Sequence, residues 1–91
     1  MRVDKFLKVS RIIKRREVAK QLADAGLVTC NGKPAKPATE LVQGDELQLR
    51  LGRHTLRVKV LSLLPHASKD SAATMYEIIE DKIENRGNEH A

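Results

Sequence analysis

Gly26-Leu27-Val28-Thr29-Cys30-Asn31-Gly32-Lys33-Pro34-Ala35 is the stretch on which the reading of the chain turns. Asn31-Gly32 is the strongest short hairpin signal, because both central residues of a type I′ turn need positive φ. Pro34 has no N–H to donate to a ladder, so the returning strand is short or lies at an edge. Gly26 is placed to end a preceding helix as a left-handed cap. The stretch is therefore a junction, with helix before it and sheet after it.

Upstream, the apolar residues fall into three groups: Val3, Phe6, Leu7; Val9, Ile12, Ile13; and Val18, Ala19, Leu22, Ala23. Each group is helical by itself. At about 100° per residue the group centres rotate by roughly a third of a turn from one to the next, so a single straight helix could not bury all three. Two short helices are predicted, with a bend between Val9 and Arg16, and Asp4 is expected to cap or charge-stabilise the first.

Downstream, Gly44-Asp45 predicts a second turn. Leu47, Leu49 and Leu51, alternating with Gln48 and Arg50, then read as a half-buried strand. Gly52-Arg53 supplies a two-residue turn into a partner strand, with Leu56, Val58 and Val60 inward and Arg57 and Lys59 outward. From Ser71 to Ile83 the spacing of Ala72, Met75, Ile79 and Ile83, with Glu77, Glu80, Asp81 and Glu84 between, predicts a closing amphipathic helix. Asn85 to Ala91 reads as a frayed tail.

The fold class that follows is α+β. Residues 1–64 form two short N-terminal helices and a small curved antiparallel sheet, and residues 65–91 a short C-terminal helix and flexible tail. Val3, Phe6, Leu7, Val18, Leu22, Leu27, Leu47, Leu49 and Val58 are expected to share one core.

Composition narrows the function. The chain has 91 residues, 41% of them hydrophobic, which suits one domain with one core. Phe6 and Tyr76 are its only Phe, Tyr or Trp residues, so recognition by rows of stacked aromatics is excluded. One cysteine, Cys30, cannot form an internal disulfide and reads as a small buried hydrophobe. With His54, His66 and His90 scattered, no metal-ligand spacing, cofactor motif or catalytic constellation is present. No apolar run approaches the roughly 20 residues of a bilayer span, so a soluble cytoplasmic protein with no membrane partner is expected.

Charge placement is the strongest functional signal. Residues 1–36 carry ten basic and three acidic side chains, a net +7, whereas the remaining 55 carry seven basic and nine acidic, a net −2. Lys5, Lys8, Arg11 and Arg15 recur at helical spacing, and Arg16 and Lys20 repeat the arrangement on the second helix. Few carboxylates interleave, and Lys14, Arg15 and Arg16 repel one another unless an anion offsets them. A phosphate backbone is the ligand such a face suits. Asn31, Lys33 and Lys36 could add backbone amides and ammonium groups at the hairpin. Asp4 is read as an orienting partner that holds an Arg fork. Gly32-Lys33 is not a nucleotide-binding loop, lacking the earlier glycine and the following Ser or Thr.

Several spaced elements occur in order: Arg2-Val3-Asp4-Lys5-Phe6-Leu7, Ser10-Arg11, Ala19, Gly26 through Gly32, Lys36-Pro37 and Gly44-Asp45. Together, over about residues 1–51, they resemble the RNA-binding domain named for small-subunit ribosomal protein four, the S-four domain, with its alpha-L motif. The resemblance extends to stand-alone bacterial ribosome-quality-control members of that family and, more distantly, to heat-shock protein fifteen. It implies a non-enzymatic monomer without cofactors that binds large ribosomal subunits obstructed by peptidyl-tRNA. It further implies contacts to large-subunit rRNA and tRNA, and help to a partner protein that adds alanine tails to stalled chains. Arg2 and Arg16 match the family's basic positions at the start of each helix and are the foremost RNA-contact candidates. The competing readings are a heat-shock-type recycling factor and a DNA-binding helix-turn-helix module, although the latter would concentrate base-reading residues on one helix.

Overall fold

The N-terminal helices form where the rotating apolar stripe predicts them. The computed structural model describes residues 1–84, with α1 at Val3–Val9 and α2 at Arg16–Asp24. The chain enters α1 through Arg2, which has extended backbone and makes a one-residue antiparallel bridge to Glu40. No cap side chain serves the first turn. Instead the Val3 and Asp4 amides donate to the carbonyls of Thr39 (2.9 Å) and Pro37 (3.2 Å), and the Lys5 amide donates to Asp4 Oδ1 at 2.7 Å. Three of the four amides that a helix start leaves without an intrahelical acceptor are thus satisfied by a distant loop and a buried carboxylate.

The helix stops at Ser10 and Arg11. Ser10 is buried and its Oγ donates to the Leu7 carbonyl at 3.3 Å, while Arg11 takes φ +64. A left-handed non-glycine residue costs roughly 1–2 kcal/mol, so the turn out of α1 is strained. It delivers Ile13 into the core and starts α2 three residues later. The far end of α2 is relaxed. Gly26 has φ +77, its amide reaches the Ala23 carbonyl at 3.1 Å, and the Leu27 amide reaches the Leu22 carbonyl at 3.0 Å. These are the paired bonds of a Schellman cap.

The sheet follows in the order β2-β1-β3-β4-β5, every neighbouring pair antiparallel. Its strands are β1 Val28–Cys30, β2 Lys33–Pro34, β3 Glu46–Leu51, β4 His54–Val60 and β5 Tyr76–Ile83. Asn31 (φ +52) and Gly32 (φ +84) make the type I′ turn, and β2 is a two-residue edge strand as Pro34 requires. Of the second hairpin's turn residues only Gly52 has positive φ, the type II′ pattern. Gly44 (φ +96) turns the chain ahead of β3, where Asp45 Oδ2 accepts the Val42 amide at 2.9 Å.

Val28, Leu47, Leu49, Leu56, Val58 and Val60 line the buried side of the sheet beneath Val3, Phe6 and Leu7 of α1 and Ala19 and Ala23 of α2. Ile13, Ala35, Leu41 and Met75 complete this core. Val18, expected inside, is 40% exposed. The inward face of α2 is Ala19, Leu22 and Ala23, and one residue away is about 100° of rotation. Leu22 and Leu27 are half-buried, and so is Cys30, whose thiol is pushed up by burial and by the adjacent Asp45 carboxylate.

The helix expected over Ser71–Ile83 is a correction. A Ser68–Ser71 capping box starts only the single turn α3, Lys69–Ala72, and the chain then extends as β5 along the open edge of β4. The misreading has a physical cause in the register. Val58 faces Ile78 and Arg57 faces Glu80, so Ile79 is an extra residue that shifts the alternation. Tyr76, Ile78, Asp81 and Ile83 therefore lie on one face at spacings of two, three and two, which breaks the alternation that marks a strand, while Ile79 and Ile83 stand four apart as they would in a helix. Pairing with β4 decides between the readings. Across the other face Arg57 joins three strands through Glu46 (3.0 Å) and Glu80 (4.0 Å). The expected frayed tail, Asn85–Ala91, lies outside the described residues.

The Schellman cap makes a clean test of local backbone energy. A Cβ at Gly26 would meet nothing within 4 Å, so only the positive φ opposes substitution. Gly26→Ala should lower the unfolding free energy by about 1–2 kcal/mol in urea titrations, and Gly26→Asn by less, since Asn tolerates the left-handed region. Equal losses for both variants would show that the φ angle is not what the position selects.

Candidate nucleic-acid interface

Asp4 is the centre of the basic surface. Its side chain is only 4% exposed and lies in the first turn of α1, yet it receives four donors. Arg2 approaches as a fork, Nε to Oδ1 at 3.1 Å and Nη2 to Oδ2 at 3.0 Å. Arg16, at the first position of α2, reaches Oδ1 through Nη2 at 3.3 Å, and the Lys5 amide takes the same oxygen. Burial alone would raise this carboxyl's pKa. The hydrogen bonds from Arg2 and Arg16, the Arg16 charge and the Lys5 amide outweigh it, so Asp4 titrates below its ordinary 3.8.

Two guanidiniums share one carboxylate, which leaves a positive charge uncompensated. Arg2 and Arg16 are 45% and 47% exposed, so each is fixed on its inner side and open on its outer side. A guanidinium carries five N–H donors; Arg2 spends two on Asp4 and Arg16 spends one. The remaining donors face solvent in a preset geometry, an arrangement suited to bidentate contact with phosphate oxygens.

The other candidate cations of the two helices are not tied down. Lys8, Arg11, Lys14, Arg15 and Lys20 are exposed and Lys5 is half-buried, and among the described residues none of the six forms an ion pair. Lys33 and Lys36 are likewise exposed, on and just after the first hairpin. Asn31 is different. Its Nδ2 donates to Asp45 Oδ1 at 3.0 Å and its Oδ1 accepts the Glu46 amide at 3.0 Å. Its carboxamide therefore pins the hairpin tip to the start of β3.

Two features of the surface had no sequence signal. The loop carbonyls of Pro37 and Thr39 set the entry of α1 and hence the position of Arg2. His66, 55 residues beyond Arg11, shares a surface groove with Lys8 and Arg11. Neither is encoded in local spacing, because each depends on segments brought together by the fold.

Comparison with known proteins shows the family of the chain. Residues 1–47, the two helices and the first hairpin through the start of β3, match the S4 domain. The chain belongs to the S4-domain family. The S4-type relatives include the RQC P-site tRNA stabilizing factor of Streptococcus pneumoniae, 52% identical over 81 residues, covering 89% of this chain and 92% of that protein. The protein of the same name from Bacillus subtilis is 46% identical over 82 residues, covering 90% and 95%. Among solved S4-type structures, heat shock protein 15 of Vibrio cholerae, described as trimeric, superposes with a TM-score of 0.80 at 26% identity, covering 86% of this chain and 80% of that one.

The buried carboxylate gives a pH signature with a definite sign. Because the folded pKa of Asp4 is depressed, its contribution to stability is complete above 3.8 and is lost as pH falls through the lower folded value. Asp4→Asn, which keeps the shape and removes the charge, should cost about 1–3 kcal/mol of stability at pH 7. The gap to the parent protein should close as pH drops below 3.8. Denaturant titrations of both proteins at several pH values check this. A gap that does not change with pH would mean that the ionisation of Asp4 is not what stabilises the fold.

Proposed function

We propose that this chain is a non-enzymatic RNA-binding factor of bacterial ribosome-associated quality control. It acts in the cytoplasm, as a monomer, on large ribosomal subunits obstructed by peptidyl-tRNA. Its basic helices contact large-subunit rRNA and tRNA, and the bound factor assists a partner protein that adds alanine tails to the stalled chain. The observation that carries this reading is the Arg2 and Arg16 pair held outward by buried Asp4 within a field of unpaired cations. It is supported by the relatives named P-site tRNA stabilizing factors, which align over about nine-tenths of the chain.

In this reading Arg2 and Arg16 grip phosphate directly. Lys5, Lys8, Arg11, Lys14, Arg15 and Lys20 extend the cationic track, and Lys33 and Lys36 reach a neighbouring strand from the hairpin. Asn31 contributes by fixing that hairpin. Preorganisation gives the pair its advantage, because an Arg already oriented by Asp4 loses less conformational freedom on binding than a free side chain. A heat-shock-type recycling role is the second reading, favoured by the structural likeness to heat shock protein 15. Measuring alanine tails on stalled chains in cells lacking the factor separates the two, since only the first reading requires tailing to fall.

Location rather than total charge should govern binding. Arg2→Ala and Arg16→Ala are each expected to weaken binding to large ribosomal subunits by about tenfold or more, and to lower the slope of log affinity against log salt by roughly 0.7–0.9. Arg57→Ala and Lys82→Ala remove the same charge from the sheet end of the molecule and should have little effect. A salt series on the four variants, with circular dichroism confirming the fold, makes the comparison. Similar losses in all four would exclude a localised interface.

A further inference from the structure

A groove of about 240 Å³ lies between the C-terminal turn of α1 and the loop that precedes α3. It is lined by Lys8, Val9 and Arg11 on one side and by His66 and Ala67 on the other. We propose that this groove is a subsite for one unstacked RNA nucleotide, with Lys8 and Arg11 on its phosphate and the His66 ring against its base. The proposal rests on the RNA-binding reading above and names a contact which that reading does not contain.

The lining divides into two chemistries, and a nucleotide has both. Lys8 and Arg11 supply cations, and among the described residues neither is engaged by a carboxylate. Val9 and Ala67 are half-buried against the core and give an apolar floor. His66 is exposed and, among the described residues, its ring makes no hydrogen bond or ion pair, in contrast to His54, which is spent on Asp81. A bare phosphate would leave the floor and the ring unused. The room is sufficient for more, since an engineered cavity of about 150 Å³ accommodates benzene. A base can lie flat on an imidazole only after leaving its own stack, which is how single-stranded and looped RNA is commonly read.

The backbone adds an independent observation. Arg11 holds φ +64, a conformation in which glycine would be relaxed and arginine is strained. The same left-handed turn sets Arg11 beside Lys8 at the mouth of the groove, the Arg11 amide donating to the Lys8 carbonyl at 3.0 Å. Strain retained in a sparsely populated backbone region clusters at ligand-binding sites. Aromatic residues elsewhere are unsuited to this task, because Phe6 is fully buried and Tyr76 is half-buried in the sheet.

The test is a nuclear magnetic resonance titration of the ¹⁵N-labelled full chain with adenosine 5′-monophosphate, adenosine and inorganic phosphate separately. The nucleotide should shift the amides of Val9, Arg11 and Ala67 and the ring protons of His66 saturably, and bind at least about fivefold more tightly than phosphate or adenosine. His66→Ala should reduce nucleotide binding to the level of phosphate, and His66→Phe should restore it. Arg11→Gly relieves the backbone while removing the guanidinium, so it should fold normally and bind the nucleotide at least about fivefold more weakly. Phosphate binding as tightly as the nucleotide, or shifts confined to Arg2 and Arg16, would overturn the subsite. Binding of the unmodified chain to large ribosomal subunits is measured in parallel. If subunit binding is absent while the groove responds to nucleotide, the ribosomal reading fails and the subsite stands; the converse pair of results overturns the subsite alone.

Discussion

A carboxylate almost sealed from water is costly unless its oxygens find donors, and both oxygens of Asp4 do, from groups in three places in the chain. Arg2 comes from the segment before α1, the Lys5 amide from α1 itself and Arg16 from the start of α2. The same side chain therefore sets the entry of one helix relative to the next. Removing either guanidinium would take at least one hydrogen bond from the buried carboxylate and free the other Arg of a shared partner, so the three side chains behave as one unit. The arrangement also reverses the usual placement of charge. Cations at helix starts oppose the macrodipole, and the buried anion offsets that penalty at both helices together.

The sheet supports this arrangement from below. The 37–41 segment takes the first amides of α1, pairs Leu41 with the Met1 carbonyl and then runs into the Gly44 turn and β3. The hairpin tip is secured to the same region through Asn31, Asp45 and Glu46. Helix entry, loop and hairpin thus form a closed circuit of hydrogen bonds around a core of Leu and Val with one Phe. A chain with so few aromatic residues gets its rigidity from this circuit as much as from packing.

Much of this was legible in the sequence wherever one residue type is forced by the backbone. Asn31-Gly32, Gly26, Gly44 and Gly52 mark positive φ, and all five residues adopt it. The bend between the helices followed from the rotation of the apolar stripe. The link between Arg2 and Asp4 was readable because the two are neighbours. Arg16 joins them only because α1 and α2 pack together, a distance of 12 residues that no local pattern carries. Val18 and Ala19 were confused because adjacent helical positions differ by one rotation, and β5 was misread because its bulge breaks the alternation of a strand.

The two ends of the sheet are unequal. At one end β2 is two residues long and closes with Pro34, so it offers little for another strand to pair with. At the other, β5 runs for eight residues with no further neighbour among the described residues, and exposes Ile78, Ile79 and Ile83. A long apolar edge of this kind is a template for unwanted strand addition between molecules. The bulge at Ile79 twists that edge out of register with a straight incoming strand, and Glu77, Glu80, Asp81 and Lys82 stud it with charge. The irregularity that hid β5 from a pattern reading is thus also a safeguard against strand addition between molecules at this edge.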